Sequence, residues 1–62
     1  MRQYYFTFVN TTRHVMRSRD GEFDDDRQAE LFARGLLNAA DPSIISVETW
    51  ERYRLVQRVQ RD

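Results

Sequence analysis

The sequence contains no cysteine, and it has one histidine, one proline and two glycines. Without cysteine, disulfides cannot stabilise the fold, and the lone His14 leaves a structural zinc site short of its usual ligands. A chain of 62 residues buries only about 60% of its unfolded surface, so its own core is marginal. Oligomerisation is the stabilising device that remains, and we therefore expect a homodimer.

The chain also lacks a long apolar run. Its longest uninterrupted apolar stretch is only a few residues, whereas about 20 are needed to cross a bilayer. Residues 1–9 alternate apolar with polar side chains and lack a small-residue cleavage site, so the pattern does not predict a signal peptide. We expect one cytoplasmic domain that spans residues 1–62 and makes no membrane contact.

Lysine is absent as well, so all ten basic residues are arginine, and they balance ten acidic residues. The two signs are segregated along the chain. Residues 1–19 contain four arginines and no acid, residues 20–30 contain six acids and one arginine, and the C-terminal stretch is again rich in arginine. This pattern predicts a dipolar surface. A net charge of zero argues against a dedicated nucleic-acid binder, which normally has a strongly basic surface.

The N-terminal third of the chain predicts two antiparallel strands. Residues 4–9 are aromatic and β-branched, as is typical of a strand. Both faces of this strand are apolar: Tyr4, Phe6 and Phe8 lie on one face, and Tyr5, Thr7 and Val9 on the other. The strand is therefore expected to be central in its sheet, or to have its second face covered by another copy of the chain. A polar turn at residues 10–12 precedes the second strand, at residues 13–19, which we expect Asp20 and Gly21 to end.

From Asp24 onward the apolar residues recur at helical spacing. The predicted stripe consists of Ala29, Phe32, Ala33, Leu36, Leu37 and Ala40. Three aspartates precede it, where the positive end of a helix dipole favours negative charge, and Asp25 with Gln28 matches a capping box. Pro42 restricts Asp41 to non-helical geometry, so we expect the helix to stop within residues 38–42.

The C-terminal stretch, residues 43–59, has two interpretations. Its β-branched and aromatic residues favour strands, either one long bent strand or two strands joined near Glu51 and Arg52. The expected period-two face consists of Ile45, Val47, Tyr53, Leu55 and Val59. A helix is the alternative, because glutamate, arginine, glutamine and leucine all favour helices. The apolar residues at a strict spacing of three cannot line one helical face, so strands are the preferred prediction.

The order of these elements predicts an α+β fold: a small antiparallel sheet of three or four strands, β-β-α-β-(β), with one helix packed on one face. The aromatic first strand, the pattern A-x-x-F-A-x-x-L-L at Ala29–Leu37 and the segment D-P-S-I-I-S-V at Asp41–Val47 resemble small proteins of bacteria and their phages. The resemblance covers most of the chain. It implies the binding of a host macromolecule, in some cases as an inhibitor of host defence or regulation, and it assigns no functional residues.

The sequence offers no catalytic or metal-binding pattern. His14 has no serine, cysteine or carboxylate at a recognised motif spacing. The acidic run at residues 24–26 lacks the alternating spacing, central glycine and closing glutamate of a calcium loop, and there is no glycine-rich phosphate loop. We expect a protein that is not an enzyme and that uses no metal or cofactor.

The most suggestive feature is the interleaving of arginine with aromatic residues. We expect a protein-binding module, an inhibitor or regulator of a host protein, that acts through this surface or through the acidic helix start. Stacking of bases on the aromatics, with arginines holding phosphates, makes nucleic-acid or nucleotide-signal binding the alternative. The candidate partner-binding residues are Tyr5, Arg17, Arg19, Asp24, Asp25, Asp26, Trp50, Arg52, Tyr53, Arg54 and Arg58.

Overall fold

The structure, a computed structural model that describes residues 1–61, has four strands and one helix. The elements are β1 (Arg2–Asn10), β2 (Val15–Phe23), α1 (Asp26–Ala39), β3 (Ile44–Glu51) and β4 (Arg54–Gln60). All pairings are antiparallel, and the strands form one sheet in the order β2-β1-β3-β4. The predicted α+β fold is confirmed, with a fourth strand completing the β-β-α-β-β order.

β1 lies inside the sheet, between β2 and β3, as the two apolar faces of its sequence predict. Tyr4 and Phe6 are fully buried and Phe8 is 6% exposed. These three side chains form the core with the apolar stripe of α1, so the helix covers this face of the sheet. The side chains that alternate with them, from Tyr5 to Val9, lie on the opposite face.

α1 begins where the sequence predicts, because the Asp25 side chain accepts a 2.9 Å hydrogen bond from the amide of Gln28. Ala29, Ala33 and Leu37 are buried against the sheet. The two alanines allow the helix backbone to approach the strands closely, and larger residues pack on either side of them. Within residues 1–61, no helix has the length and apolar character needed to cross a bilayer.

β2 is longer than predicted and begins later, which corrects both predicted ends. Arg13 has a φ of 66° and belongs to the turn, where the Asn10 side chain accepts hydrogen bonds from the amides of Thr12 and His14. At the other end the strand continues through Gly21 to Phe23. A Cβ on Gly21 would lie 2.8 Å from the Phe23 ring. This glycine therefore makes room for aromatic packing within the strand and does not form a turn.

The C-terminal stretch forms two strands, as preferred, and the helical alternative is wrong. They are joined at Arg52 and Tyr53, and Arg52 has a φ of 56°. The predicted apolar face is only partly correct. Val47 and Val59 are paired and buried, but Tyr53 is 98% exposed in the turn.

Ile45 and Leu55 also depart from the predicted face. Ile44, and not Ile45, packs in the core, and Leu55 pairs with Trp50 on the side of the sheet away from α1. The pairing of β3 with β4 shifts between Thr49 and Trp50, so one extra residue, Val56, is accommodated in β4. A shift of one residue reverses the face on which the following side chains lie.

Candidate functional site

The side of the sheet opposite α1, here called the open face, is not covered by any element within residues 1–61. The strand register brings together the side chains that form it. They are Gln3, Tyr5, Thr7 and Val9 from β1, Val15, Ser18, Asp20 and Glu22 from β2, Ser46, Glu48 and Trp50 from β3, and Leu55, Arg58 and Gln60 from β4. Four strands of this length, spaced about 4.8 Å apart, give a face roughly 20 Å wide and 25 Å long.

The centre of the open face is apolar. Tyr5 pairs with Trp50, and Trp50 pairs with Leu55, so three large side chains lie in one row across three strands. Tyr5 is 36% exposed and Leu55 is 42% exposed. The Tyr5 hydroxyl donates a 2.9 Å hydrogen bond to the Arg52 carbonyl, which fixes the ring against the β3–β4 turn. A shallow depression of about 330 Å³ lies beside this row.

Charged groups on the open face are distributed unequally between its two edges. Asp20 and Glu22 lie on β2 and are exposed. On the opposite side Arg58 of β4 donates two hydrogen bonds, of 2.9 and 2.7 Å, to Glu48. The Glu48 carboxylate is thereby neutralised within the sheet. The β2 edge is therefore acidic, and the β4 edge carries the one arginine among the open-face residues.

A second group of polar side chains, the end cluster, joins the start of β1, the start of α1 and the β3–β4 turn. Its members are Arg2, Tyr4, Asp26, Glu51 and Arg54. Glu51 accepts bonds of 2.8 and 2.7 Å from Arg2 and one of 2.6 Å from Arg54. The buried Tyr4 donates its hydroxyl to Asp26 Oδ1 at 2.7 Å, and Arg54 approaches the same carboxylate at 3.2 Å.

These contacts shift the pKa of every group in the end cluster, and the hydrogen bonds to Glu51 raise the pKa values of Arg2 and Arg54. Burial, together with the hydrogen bond to Asp26, raises the pKa of Tyr4 to about 12. The bonds from Arg2 and then Arg54 lower the pKa of Glu51 to about 2. The Tyr4 hydroxyl and Arg54 lower the pKa of Asp26. The cluster therefore stabilises the fold in its fully charged form, with Tyr4 neutral.

Arg17 and Arg19 lie on the other side of the sheet from the open face, on the side of α1. Their guanidinium groups sit over aromatic rings, with Arg17 5.5 Å from the centre of Phe8 and Arg19 5.7 Å from the centre of Phe32. Both arginines line a groove of about 400 Å³ between β2 and the C-terminal half of α1. Within residues 1–61 neither makes an ion pair.

The candidate residues chosen from the sequence thus fall into separate places. The open face receives Tyr5, Trp50 and Arg58, with Arg52 and Tyr53 in the turn at its end. Asp25 is the N-cap of α1. Asp24 precedes it, and the Asp24 amide donates a hydrogen bond to the Gln28 side chain.

Asp26 and Arg54 contact each other in the end cluster, and Arg17 and Arg19 line the groove. The candidate list missed most of the open face, including its apolar members Val15 and Leu55. A register shift beside each of them conceals the alternation that would have identified them.

His14 lies in the exposed β1–β2 turn, with the Thr12 hydroxyl 3.4 Å from its Nδ1. Within residues 1–61, no three histidine, cysteine, aspartate or glutamate side chains are grouped so as to hold a metal ion. Comparison with known proteins finds no matching family model, no similar curated protein and no similar solved structure. The arrangement of the side chains is therefore the basis for a functional proposal.

Proposed function

We propose that this chain is a non-enzymatic protein-binding module that acts as a homodimer, with the open faces of two copies packed on each other. The observation that carries the dimer is the apolar row of Tyr5, Trp50 and Leu55, in which Tyr5 and Leu55 are exposed to solvent and Trp50 is half-buried in a single copy. Burial of such a row removes apolar surface from water. The binding of a host protein as an inhibitor or regulator, implied by the resemblance to small phage-type proteins, fits this role.

The size of the open face supports the dimer. The face measures roughly 20 by 25 Å. Each partner of a standard interface buries roughly 800 Å², and a face of this size supplies much of that area. Two sheets that pack face to face place their inner side chains in a shared core about 10 Å thick. A 62-residue chain gains from this arrangement a second core that it cannot build alone.

The edge charges favour one orientation of the two copies. A two-fold axis that lies in the plane of the interface, along the strands, places β2 of one copy over β4 of the other. The acidic edge with Asp20 and Glu22 then approaches the β4 edge, where Arg58 and Glu48 neutralise each other. An axis across the strands would place the acidic edge over itself and oppose like charges. We therefore assign the axis along the strands.

The non-enzymatic part of the proposal is supported by the surroundings of His14. This residue, the sole histidine of the chain, lies in an exposed turn, and its polar neighbour is the hydroxyl of Thr12. A general base needs an orienting partner and a substrate position within hydrogen-bond reach. An exposed turn in which no carboxylate of residues 1–61 contacts the imidazole does not provide this arrangement.

The nucleic-acid alternative receives less support from the structure than protein binding. In this alternative Arg52, Arg54 and Arg58 would hold the phosphates. Arg54 donates to Glu51 and Asp26, and Arg58 donates to Glu48, so two of the three are already paired with carboxylates. Arg52 and the exposed ring of Tyr53 remain suited to stacking. Quenching of Trp50 fluorescence by a single-stranded oligonucleotide, with an affinity that falls steeply as salt rises, would favour this alternative.

Two leucine variants test the dimer. Leu55→Glu places a charge in the open face, whereas Leu31→Glu makes the same change on α1, where the side chain is 59% exposed. Light scattering after size exclusion should give the wild type and Leu31→Glu twice the 7.5 kDa mass of one chain. Leu55→Glu should elute as a monomer, with Trp50 emission shifted to longer wavelength.

A wild-type monomer at about 100 μM, where even a weak dimer of micromolar Kd forms, would overturn the dimer. So would identical behaviour of the two leucine variants. Circular dichroism of each variant separates loss of association from loss of folding, because a folded monomer keeps the spectrum of the sheet and the helix.

A further inference from the structure

β2 is an edge strand whose outer side has no partner within residues 1–61. It spans nine residues without a proline, and its pairing with β1 is regular from Arg17 to Phe23. The opposite edge, β4, has seven residues and a register shift that breaks its regularity. Along the outer side of an edge strand, the backbone amides and carbonyls of alternate residues point away from the sheet and are able to pair with an added strand. β2 is therefore the better edge for strand addition.

The helix packs more closely on the β3–β4 half of the sheet than on β2. α1 packs mainly on β3 and β4, which leaves the groove between β2 and the end of α1. Phe8 and Leu36 line this groove together with one acid, Asp41, and Arg17 and Arg19 lie along its β2 side. The positive charge at this edge is thus exposed, without an ion-pair partner in residues 1–61, and beside unpaired backbone groups.

A second copy of the chain does not suit this edge. In a two-fold antiparallel pairing of β2 with itself, the central residue faces its own copy and its two neighbours face each other. Pairing centred on residue 17, 18 or 19 opposes arginines, because Arg17 faces Arg17, Arg17 faces Arg19, or Arg19 faces Arg19. Pairing centred on residue 20 or 21 opposes acids, because Asp20 faces Asp20 or Glu22. Like charges directly opposite each other are destabilising in a sheet.

From these observations we infer that β2 binds an extended segment of a protein partner as a fifth strand, with acidic side chains at alternate positions. Added at the β2 edge, such a segment places one set of side chains beside Arg17 and Arg19 and the other beside Ser18 and Asp20. Carboxylates suit the first side, and uncharged β-formers suit the second. The inference rests on the proposed protein-binding function and specifies the chemistry of the partner.

The test uses a seven-residue peptide of alternating threonine and glutamate, with blocked ends, titrated into the ¹⁵N-labelled full chain. We expect amide shift changes concentrated on β2. Arg17→Glu with Arg19→Glu should abolish binding of this peptide and confer binding of the matching threonine–lysine peptide. The control, Arg27→Glu with Arg34→Glu, makes the same charge change at two exposed arginines of α1 and should retain the original preference.

Backbone pairing is tested with two N-methylated forms of the peptide, one methylated at every glutamate and one at every threonine. In an added strand the amides of one set point at β2 and those of the other set point away. One form should therefore lose binding and the other retain it. Equal behaviour of the two forms, shift changes outside β2, or no binding at millimolar peptide would each overturn the inference.

The dimer and the edge site fail independently. Leu55→Glu acts on the open face, so this variant should still bind the peptide through β2. A wild type that is monomeric and binds the peptide through β2 would overturn the homodimer and leave the edge site standing. A dimeric wild type that does not bind the peptide would retain the homodimer and overturn the edge site.

Discussion

The Arg61 guanidinium donates a 2.9 Å hydrogen bond to the carbonyl of Leu37, in the last turn of α1. It also donates 3.2 Å bonds to the carbonyls of Ala40 and Asp41, and its Nε donates to the carbonyl of Ile44 at 2.7 Å. The last carbonyls of a helix have no partner within the helix, and α1 has no basic residue in its last turn. A residue that follows β4 therefore provides the cap that the helix sequence lacks.

Arg61→Ala should lower the free energy of unfolding by about 1–2 kcal/mol, because several carbonyls lose a charged donor at once. Arg61→Lys should recover only part of this loss, since one ammonium group cannot reproduce the forked geometry. Arg27→Ala is the control, because Arg27 is an exposed arginine on the same helix. Urea unfolding followed by circular dichroism measures all three, and equal loss in Arg61→Ala and Arg27→Ala would contradict the capping role.

Ionisation of the Tyr4 hydroxyl should make the fold less stable at alkaline pH. Its pKa is raised from an ordinary value of 10.0 to about 12 in the folded chain. The neutral hydroxyl is thus favoured by folding, and its contribution is complete below pH 10 and is lost as the pH rises through 12. Tyr4→Phe should remove this alkaline component and, at neutral pH, cost roughly 1 kcal/mol for the lost hydrogen bond to Asp26.

Tyr53→Phe is the matched control for Tyr4→Phe, because Tyr53 is 98% exposed. Unfolding by urea at several values between pH 8 and 12 follows the stability of both variants, and phenolate absorbance follows the ionisation of the remaining tyrosines. If Tyr4→Phe keeps the full alkaline loss of the wild type, Tyr4 is not its source.

Protonation of the Glu51 carboxylate should make the fold less stable at acid pH. Its pKa falls from 4.5 to about 2 because Arg2 and Arg54 donate to its carboxylate. The stability that this charged form contributes is present above pH 4.5 and is lost as the pH falls toward 2. Glu51→Gln should flatten the acid limb of the stability profile. Glu22→Gln, in which an exposed β2 glutamate is changed, should leave that limb steep, and thermal unfolding between pH 2 and 6 distinguishes the two results.

The elements whose signals are local were predictable from the sequence. α1 has its cap, its apolar stripe and its stop signal within about five turns of chain, and both ends agree with the prediction to within a residue or two. β1 was recognisable as a central strand because both of its faces are apolar. In each case neighbouring residues carry the information, and no knowledge of pairing is needed.

Features that depend on register or on distant contacts were not predictable. The register shift between Thr49 and Trp50 moves Leu55 to the open face, and no residue type in β4 indicates that the register shifts there. The end cluster joins Arg2 to Glu51 across 49 positions, and the Arg61 cap joins the C-terminal end to α1 across 24. Such contacts follow from the order of the strands in the sheet, which the sequence pattern leaves open.

The two glycines of the chain should respond in opposite ways to replacement by alanine. A Cβ on Gly35, in the interior of α1, would have open space around it, so Gly35→Ala removes unfavourable chain entropy at no steric cost. It should raise the free energy of unfolding by about 0.8–1 kcal/mol, the difference between glycine and alanine in a helix.

Gly21→Ala places its Cβ 2.8 Å from the Phe23 ring and 3.5 Å from Phe6. The Phe23 ring must then move out of its edge contact with Phe6, so this variant should be less stable than the wild type. Urea unfolding at neutral pH compares the two glycine variants directly. A Gly21→Ala variant as stable as Gly35→Ala would show that Phe23 has room to shift, and that close aromatic packing is not the reason for a glycine within β2.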